Sequence, residues 1–181
     1  TGFIGETRCG EITTLGRGGS DLSATIIGAA IGAKEVQLWK DVDGMMSMDP
    51  RMIPNAVSIP HVSYEEASEL AYFGGNILHP ISMRPVMGTS IPIRIKNSYN
   101  PSHPGTLITA GKTNSTSIVT AITFKRGIDL VDIVSTRMLG QSGFLSRVFN
   151  QFFNYSISID MIATSEVSIS LTLDKDQDRN N

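Results

Sequence analysis

The run TTLGRGGSD at residues 13–21 joins a predicted strand to a predicted helix. Residues 11–15 form the strand candidate, and the three glycines that follow predict a turn. Ser20 is the predicted N-cap of a helix that extends to about residue 31, with Asp21 in the first turn, where the helix dipole favours negative charge. Gly32 is a suitable C-terminal stop. The stretch therefore predicts a strand–turn–helix unit.

The residue types in this unit suit a small charged ligand. Glycines let the backbone approach an anion, and a helix N-terminus directs N–H groups and positive potential toward it. Arg17 adds a bidentate fork for a carboxylate or phosphate, and Asp21 can accept a hydrogen bond from a cationic amine. A site with both charges suits a zwitterionic amino acid. The alternative is a tight turn with a structural pair between Arg17 and Asp21.

The chain continues in an α/β pattern. Residues 35–39 alternate polar and apolar side chains and predict a strand, and residues 40–54 form a loop by their Asp, Gly and Pro content. The run SYEE at residues 63–66 is a capping box that opens a helix extending to residue 73. Residues 91–96 predict another strand, and Pro92 indicates an edge position in its sheet.

The loop after the strand at 35–39 is a second candidate site. Ligands of open α/β sheets collect at the carboxyl ends of strands. Lys40 and Arg51 could hold phosphates, Asp41 could hold a ribose or a metal-bound water, and Met46 could pack on a base. The alternative is a solvated loop with a local salt bridge.

Residues 97–117 are rich in Asn, Ser, Pro, Gly and Thr and mark a predicted domain boundary. Beyond it we expect strands at 118–124 and 128–134, a helix at 143–153, and strands at 156–162 and 167–173. This order predicts a ferredoxin-like α+β module. The resulting division is a first domain at 1–110, an incomplete second domain at 118–174 and a polar tail at 175–181.

Composition excludes several function classes. The chain has 181 residues, a net charge of -2 and 40% hydrophobic residues, so it carries material for a core but no electrostatic reason to bind nucleic acid or an anionic membrane. Its one cysteine, Cys9, excludes an internal disulfide framework and a cysteine-based zinc site. No apolar run approaches the ~20 residues that cross a bilayer. Because the sequence opens TGFIG without Met, we expect an internal piece of a longer protein, so missing targeting signals carry no information.

Three apparent motifs do not hold. The stretch at residues 105–113 ends in Gly-Lys-Thr, but it has one residue too many for a phosphate-binding P-loop. The run DVDG at residues 41–44 resembles a calcium loop, yet Met45 and Met46 occupy positions that need an oxygen ligand and a glycine. The histidines lack metal-ligand spacing. We therefore expect no metal site built from these side chains.

Several longer runs resemble the aspartate kinase family, most closely its monofunctional plant type. They are TTLGRGGSD, LWKDVDG with DPR, ELAYFGGNILHP and IPIRIKNSYNPSHPGTLI in the first half, then STRMLGQSGFLSRVF and SIDMIATSEVSISLTLD in the second. The resemblance implies the C-terminal part of a carbamate-kinase-like, three-layer α/β domain, followed by an incomplete ACT regulatory domain. It also implies transfer of the ATP γ-phosphoryl group to the side chain of L-aspartate, with Mg²⁺ arriving on ATP.

The resemblance assigns roles to residues by position. The residues expected to bind aspartate are Arg17, Gly18, Gly19, Ser20 and Asp21. Those expected to bind ATP are Lys40, Asp41, Met46, Arg51, Asn76 and Ile77. Those expected to bind lysine as an inhibitor are Met138, Gln141, Gly143, Phe144, Leu145, Ile159, Asp160, Ser165 and Glu166. Asp160 and Glu166 would bind the two amino groups of lysine. The alternative is that they are charged residues at strand ends with no role in ligand binding.

The family's N-terminal Lys-Phe-Gly-Gly-Ser segment, whose Lys stabilises the transferring phosphoryl group, is absent from these 181 residues. We therefore expect the isolated chain to be inactive, with no catalytic residue of its own. The resemblance further implies a homodimer through ACT domains, S-adenosylmethionine as a second possible effector, and a plastid location for a plant-type protein or a cytoplasmic one otherwise. Two alternatives stay open: a non-catalytic amino-acid-sensing module, and a kinase acting on glutamate or a nucleotide.

Overall fold

The computed structural model describes residues 2–73, 77–111 and 118–174. The chain divides into two compact units, Thr1–Phe124 and Lys125–Asn181. None of the helices in the described ranges is long and apolar enough to cross a membrane.

The first unit combines a four-stranded mixed sheet with helices and a small hairpin. The hairpin pairs β1 with β2, and the sheet has the order β3-β5-β6-β4. Strands β3 and β5 are parallel, β4 and β6 are parallel, and β5 runs antiparallel to β6. The elements are β1 (Ile4–Glu6), β2 (Ile12–Thr14), α1 (Gly19–Ala30), β3 (Val36–Lys40), β4 (His61–Ser63), α2 (Tyr64–Tyr72), a 3-10 turn (Pro80–Met83), α3 (Arg84–Met87), β5 (Ile93–Asn97) and β6 (Thr106–Thr109).

Local chemistry explains where the two longer helices begin. The capping box of α2 is confirmed, because the Ser63 hydroxyl accepts from the Glu66 N–H and the Glu66 carboxylate accepts from the Ser63 N–H. The N-cap predicted at Ser20 is wrong. Helix α1 already begins at Gly19, and its N-cap is Gly18, which has a φ of 70° and provides no side-chain hydrogen bond. Glycine adopts this left-handed conformation without the steric cost of a Cβ.

The sheet corrects two expectations from the sequence. Strand β5 lies between β3 and β6, so the edge position inferred from Pro92 is wrong. Pro92 precedes the strand, and its carbonyl accepts from the Val36 N–H, so the missing N–H of proline interrupts no ladder. Strand β6 was expected to be part of a linker, yet Thr106 and Ile108 are fully buried in the core.

In its described residues, 125–174, the second unit is a three-stranded antiparallel sheet with one α-helix. Its strands have the order β7-β9-β8, and Ile169 and Leu171 of β9 are fully buried. The elements are β7 (Ile128–Val134), a 3-10 turn (Thr136–Met138), α4 (Phe144–Asn154), β8 (Met161–Thr164) and β9 (Ser168–Asp174). This β–α–β–β order agrees with the ferredoxin-like expectation.

Two strand predictions near this unit fail. Residues 118–124 form no strand and belong to the first unit. Strand β8 begins at Met161 instead of residue 156, because the chain leaves α4 through a turn in which Ser156 has a φ of 54° and its N–H bonds to the Phe153 carbonyl.

Candidate functional site

An ion pair joins the two motifs that the sequence singled out. The Lys40 ammonium, at the end of β3, lies 2.8 Å and 2.7 Å from the two carboxylate oxygens of Asp21 in the first turn of α1. Asp21 is buried and Lys40 is partly buried. The glycine turn and the loop after β3 are therefore neighbours, and Asp21 pairs with Lys40 and not with Arg17.

The glycine turn is shaped by close contact with the rest of the first unit. A Cβ placed on Gly18 would lie 2.5 Å from the Cβ of His79, so a larger residue does not fit there. Gly19 is buried, whereas Arg17 and Ser20 are exposed. The first turn of a helix carries N–H groups without intrahelical partners, and here that turn lies beside an exposed guanidinium. This combination suits a carboxylate ligand.

A cavity of 390 Å³ lies at the carboxyl end of β3. Five of the six side chains assigned to ATP line it, namely Lys40, Asp41, Met46, Arg51 and Ile77. The sixth, Asn76, lies outside the described residues. The remaining lining residues are Val42, Met48, Asp49, Pro50, Leu70, Ile122 and Thr123. The cavity thus combines two cationic side chains with a largely apolar lining, which matches the phosphates and the base of a nucleotide.

Arg51 is held in place by the turn that precedes it. Its Nε and Nη2 donate to the two oxygens of Asp49 at 3.1 Å and 2.8 Å, and its backbone N–H donates to the same carboxylate. The Arg51 hydrogen bonds hold the pKa of Asp49 below its usual value, and those bonds raise the pKa of Arg51. The pair therefore stays ionised at neutral pH, and the Arg51 guanidinium lines the cavity as a cation.

Buried and partly buried hydrogen bonds organise the rest of this loop. Asp43 accepts from the side-chain amides of Asn97 at 2.8 Å and Asn100 at 3.2 Å, so it acts as a structural acceptor. The Met45 N–H donates to the Thr106 hydroxyl, which in turn donates to the Ile59 carbonyl. These bonds fix the loop to β5 and β6. They were not foreseen, because the partners are 47 to 61 residues apart in sequence.

No cluster of three or more His, Cys, Asp or Glu side chains that could hold a metal occurs in the part of the chain that the structure describes. The acidic groups at the cavity are Asp41 and Asp49, and Asp49 is committed to Arg51. A divalent cation bound by substrate phosphates needs only one or two protein carboxylates. Asp41 is exposed at the cavity.

In the second unit, the residues assigned to lysine lie at two ends of the sheet. Asp160 and Ile159 precede β8, next to the end of β9 at Asp174. Ser165 and Glu166 form the turn between β8 and β9 at the opposite end, about 16 Å away by strand rise. The turn that carries Met138 and Gln141 lies at this same end, because the Ser135 N–H donates to the Val167 carbonyl. Gly143, the left-handed N-cap of α4, precedes Phe144 and Leu145.

Asp160 already accepts an ammonium. The Lys125 Nζ lies 3.4 Å from the Asp160 carboxylate and also pairs with Asp174. Burial opposes the charged form of Lys125, but hydrogen bonding and attraction to Asp174 and Asp160 outweigh that burial and raise the pKa of the lysine. Asp160, whose side chain is only 4% exposed, thus lies in a site that stabilises an alkylammonium ion.

Comparison with known proteins agrees with both halves of this description. The sequence model of the amino acid kinase family matches residues 1–97, and that of an ACT domain matches residues 131–179. The chain belongs to the amino acid kinase family. It is 57% identical to the chloroplastic aspartokinase 2 of Arabidopsis thaliana over 96% of this chain, and 40% identical to the lysine-sensitive aspartokinase 3 of Escherichia coli.

Solved structures give the same relationship. The crystal structure of E. coli aspartokinase III in complex with aspartate and ADP matches with a TM-score of 0.84 over 96% of this chain. The structure of that enzyme with lysine and aspartate matches with a TM-score of 0.75. This amino acid kinase chain spans 32% of the length of Arabidopsis aspartokinase 2 and 38% of the E. coli chains.

In this amino acid kinase, the cavity is lined by five residues that the resemblance assigns to ATP and also by two residues of the segment 118–124. Ile122 and Thr123 line the cavity, although residues 118–124 were assigned to a strand of the second domain. The segment is rich in β-branched residues, which are typical of strands. In the structure the hydroxyl groups of Thr120 and Thr123 bond to α2. These two threonines are the feature of the sequence that could have indicated a packed loop instead of a strand.

Proposed function

We propose that this chain is the part of an aspartate kinase that carries half of the catalytic domain and the first regulatory domain. The reaction transfers the γ-phosphoryl group of ATP to the side-chain carboxylate of L-aspartate and gives 4-phospho-L-aspartate and ADP. It is the first step toward lysine, threonine and methionine. The observation that carries the proposal is the ion pair between Asp21 and Lys40, because it brings an amino-acid-binding turn next to a nucleotide-sized cavity.

The charges of the site suggest a role for each group. Arg17 and the N–H groups at the start of α1 bind the carboxylates of aspartate. Lys40 and Arg51 hold the phosphates of ATP, and Asp41 holds the ribose or a water on Mg²⁺. Met46 and Ile77 pack against the base, and Asn76 is assigned to ATP by resemblance. Phosphoryl transfer requires positioning and charge neutralisation, which these fixed cations supply.

Neither substrate is expected to react on this chain alone. The Lys-Phe-Gly-Gly-Ser segment of the resembling family, whose Lys stabilises the transferring phosphoryl group, is not among the 181 residues. We expect binding of ADP and aspartate without formation of aspartyl phosphate. The names of the Arabidopsis relatives support a plastid location for the protein.

Calorimetric titration of the 181-residue chain with Mg-ADP, and separately with L-aspartate, tests this function. Arg51→Ala should weaken ADP binding by tenfold or more and leave aspartate binding unchanged, because it removes a charge-assisted contact only at the cavity. Arg17→Ala should do the reverse. Arg137→Ala, an exposed arginine of the second unit, is the matched control. The proposal would be overturned by a folded chain that binds neither ligand, or by Arg51→Ala and Arg17→Ala variants that both behave like the control.

For the regulatory domain we propose lysine sensing by a pair of copies. One lysine cannot reach both Asp160 and Glu166 of the same chain, because the length of β8 separates them. Strand β8 is an edge of its sheet, and all four of its residues are exposed. Antiparallel pairing of two copies through β8 brings Asp160 of one copy beside Ser165 and Glu166 of the other. S-adenosylmethionine is a second effector to test at the same place.

Titration with L-lysine and sedimentation measurements on the same samples test this arrangement. Ile162→Lys on β8 should produce monomers and abolish lysine binding, since like charges then face each other across the two-fold axis. Leu130→Lys on β7 places the same charge on the other edge and should change neither property. Glu166→Ala should abolish lysine binding but keep the dimer. Lysine binding by a monomer would refute the paired arrangement.

A further inference from the structure

Residues 118–124 are assigned by neither family comparison, because the amino acid kinase match ends at residue 97 and the ACT match begins at residue 131. The segment forms no strand, yet it is attached to the first unit at several points. The Ile122 N–H donates to the Ser47 carbonyl at 2.9 Å, and the Thr123 hydroxyl donates to the Phe73 carbonyl at 2.8 Å. The Thr120 hydroxyl donates to the Glu66 carboxylate at 3.2 Å.

These bonds connect the segment to both sides of the cavity. Ser47 belongs to the loop that carries Met46 and Arg51, and Phe73 is the C-cap of α2, the helix whose Leu70 lines the cavity. Ala121 packs against the hydrophobic core. Its neighbours Ile122 and Thr123 both line the cavity.

Ile122 is the informative side chain. Its backbone is anchored, yet its side chain is 58% exposed at a cavity that is also lined by Val42, Met46, Met48, Leu70 and Ile77. The Ile122 side chain is anchored and open to solvent among other apolar side chains. Covering it with a flat apolar group lowers the free energy, because apolar surface is removed from water. The cations of the cavity, Lys40 and Arg51, attract the phosphates, so the group left for the apolar wall is the base.

We infer that residues 118–124 are a wall of the nucleotide site and that Ile122 is a specificity-determining residue that packs against the base. The inference rests on the proposed function, since it needs a nucleotide in this cavity. It extends that site by a segment that lies outside both family matches and directly precedes the second unit.

Binding measurements with the 181-residue chain separate the base from the phosphates. Ile122→Ala should weaken Mg-ADP binding roughly tenfold, the effect of uncovering one large aliphatic side chain. Binding of Mg-pyrophosphate, which has no base, should be unchanged. Ile118→Ala removes an equally large side chain that is fully exposed in the same segment but does not line the cavity, so it is the matched control. Ile122→Leu should restore most of the affinity.

The outcomes distinguish the inference from the function on which it rests. If the wild-type chain binds Mg-ADP and Ile122→Ala binds it equally well, the base does not contact this wall and the inference is overturned. If Ile122→Ala weakens ADP and pyrophosphate alike, the residue supports the cavity in general and the assignment to the base is overturned. If the folded wild-type chain binds neither ligand, the proposed nucleotide site fails together with the inference.

Discussion

Asp21 and Lys40 form a largely buried ion pair between α1 and the end of β3. The buried carboxylate needs a cationic partner, since an unpaired charge in this position would be costly. Lys40→Met should lower the free energy of unfolding by roughly 2 kcal/mol, because it leaves that carboxylate buried without its ammonium. Asp21→Asn should cost less, since the amide oxygen still accepts from Lys40. Urea denaturation of both variants and of the double variant measures the coupling. A coupling free energy near zero would mean that the pair adds nothing to stability.

Tyr64 gives a prediction on pH. Its ring is buried, its hydroxyl donates to the Ile91 carbonyl at 2.6 Å, and burial raises its pKa. Below pH ~10 both the folded and the unfolded states keep this phenol protonated. Above that pH the unfolded state ionises first, so the stabilising contribution falls as pH rises through the pKa of the folded state. Tyr64→Phe should therefore cost about 1 kcal/mol at pH 8, and the wild-type advantage should shrink at pH 10.5.

Denaturation at both pH values measures this difference, and a spectrophotometric titration identifies the group. Because burial raises the pKa of Tyr64, a tyrosine titration above the ordinary range should disappear in Tyr64→Phe. An advantage that grows with pH would contradict the assignment.

At the scale of elements, Lys125 links the start of the second unit to the strand end at Asp160. If an effector amine uses Asp160, it must compete with this resident ammonium. Lys125→Met removes the competitor while keeping a side chain of similar length. We expect L-lysine to bind on the order of tenfold more tightly to this variant. Calorimetry measures the affinity, and Lys34→Met, on an exposed lysine of the first unit, is the control. Unchanged or weaker binding would show that Lys125 organises the site and does not compete for it.

The elements also show how far the sequence determines the fold. Local signals located α2, since a capping box is complete within four residues, and they located β3 and β9 by their alternation. They failed where distant partners decide. Thr106 is turn-like in sequence but becomes a buried strand residue, because its hydroxyl bridges Met45 and Ile59. Residues 118–124 are strand-like in sequence but find no ladder, because their hydrogen bonds go to a loop and to α2.

The candidate site follows the same rule. Five residues that the resemblance assigns to ATP line one cavity, and all of them except Met46 lie in a quoted run of sequence. It did not show that Lys40 would be paired with Asp21, or that Asp160 and Glu166 would be separated by a strand. Both facts depend on pairing between elements, namely β3 beside α1 and the hairpin of β8 and β9.

At the scale of the whole molecule, two compact units should respond to different ligands. A ligand that binds only the folded state stabilises it by RT ln(1 + [L]/Kd), about 2.7 kcal/mol at one hundred times Kd. Mg-ADP should therefore protect amides of β3, α2 and residues 118–124 from hydrogen exchange, and L-lysine should protect those of β8 and α4. Residue 124 continues directly into Lys125, which pairs with Asp160. We therefore expect protection by lysine to extend to the amides of the 118–124 segment. Exchange measured with each ligand, and repeated with Lys125→Met, tests this. Protection by lysine that stops at residue 125 in both proteins would show that the two units sense their ligands independently.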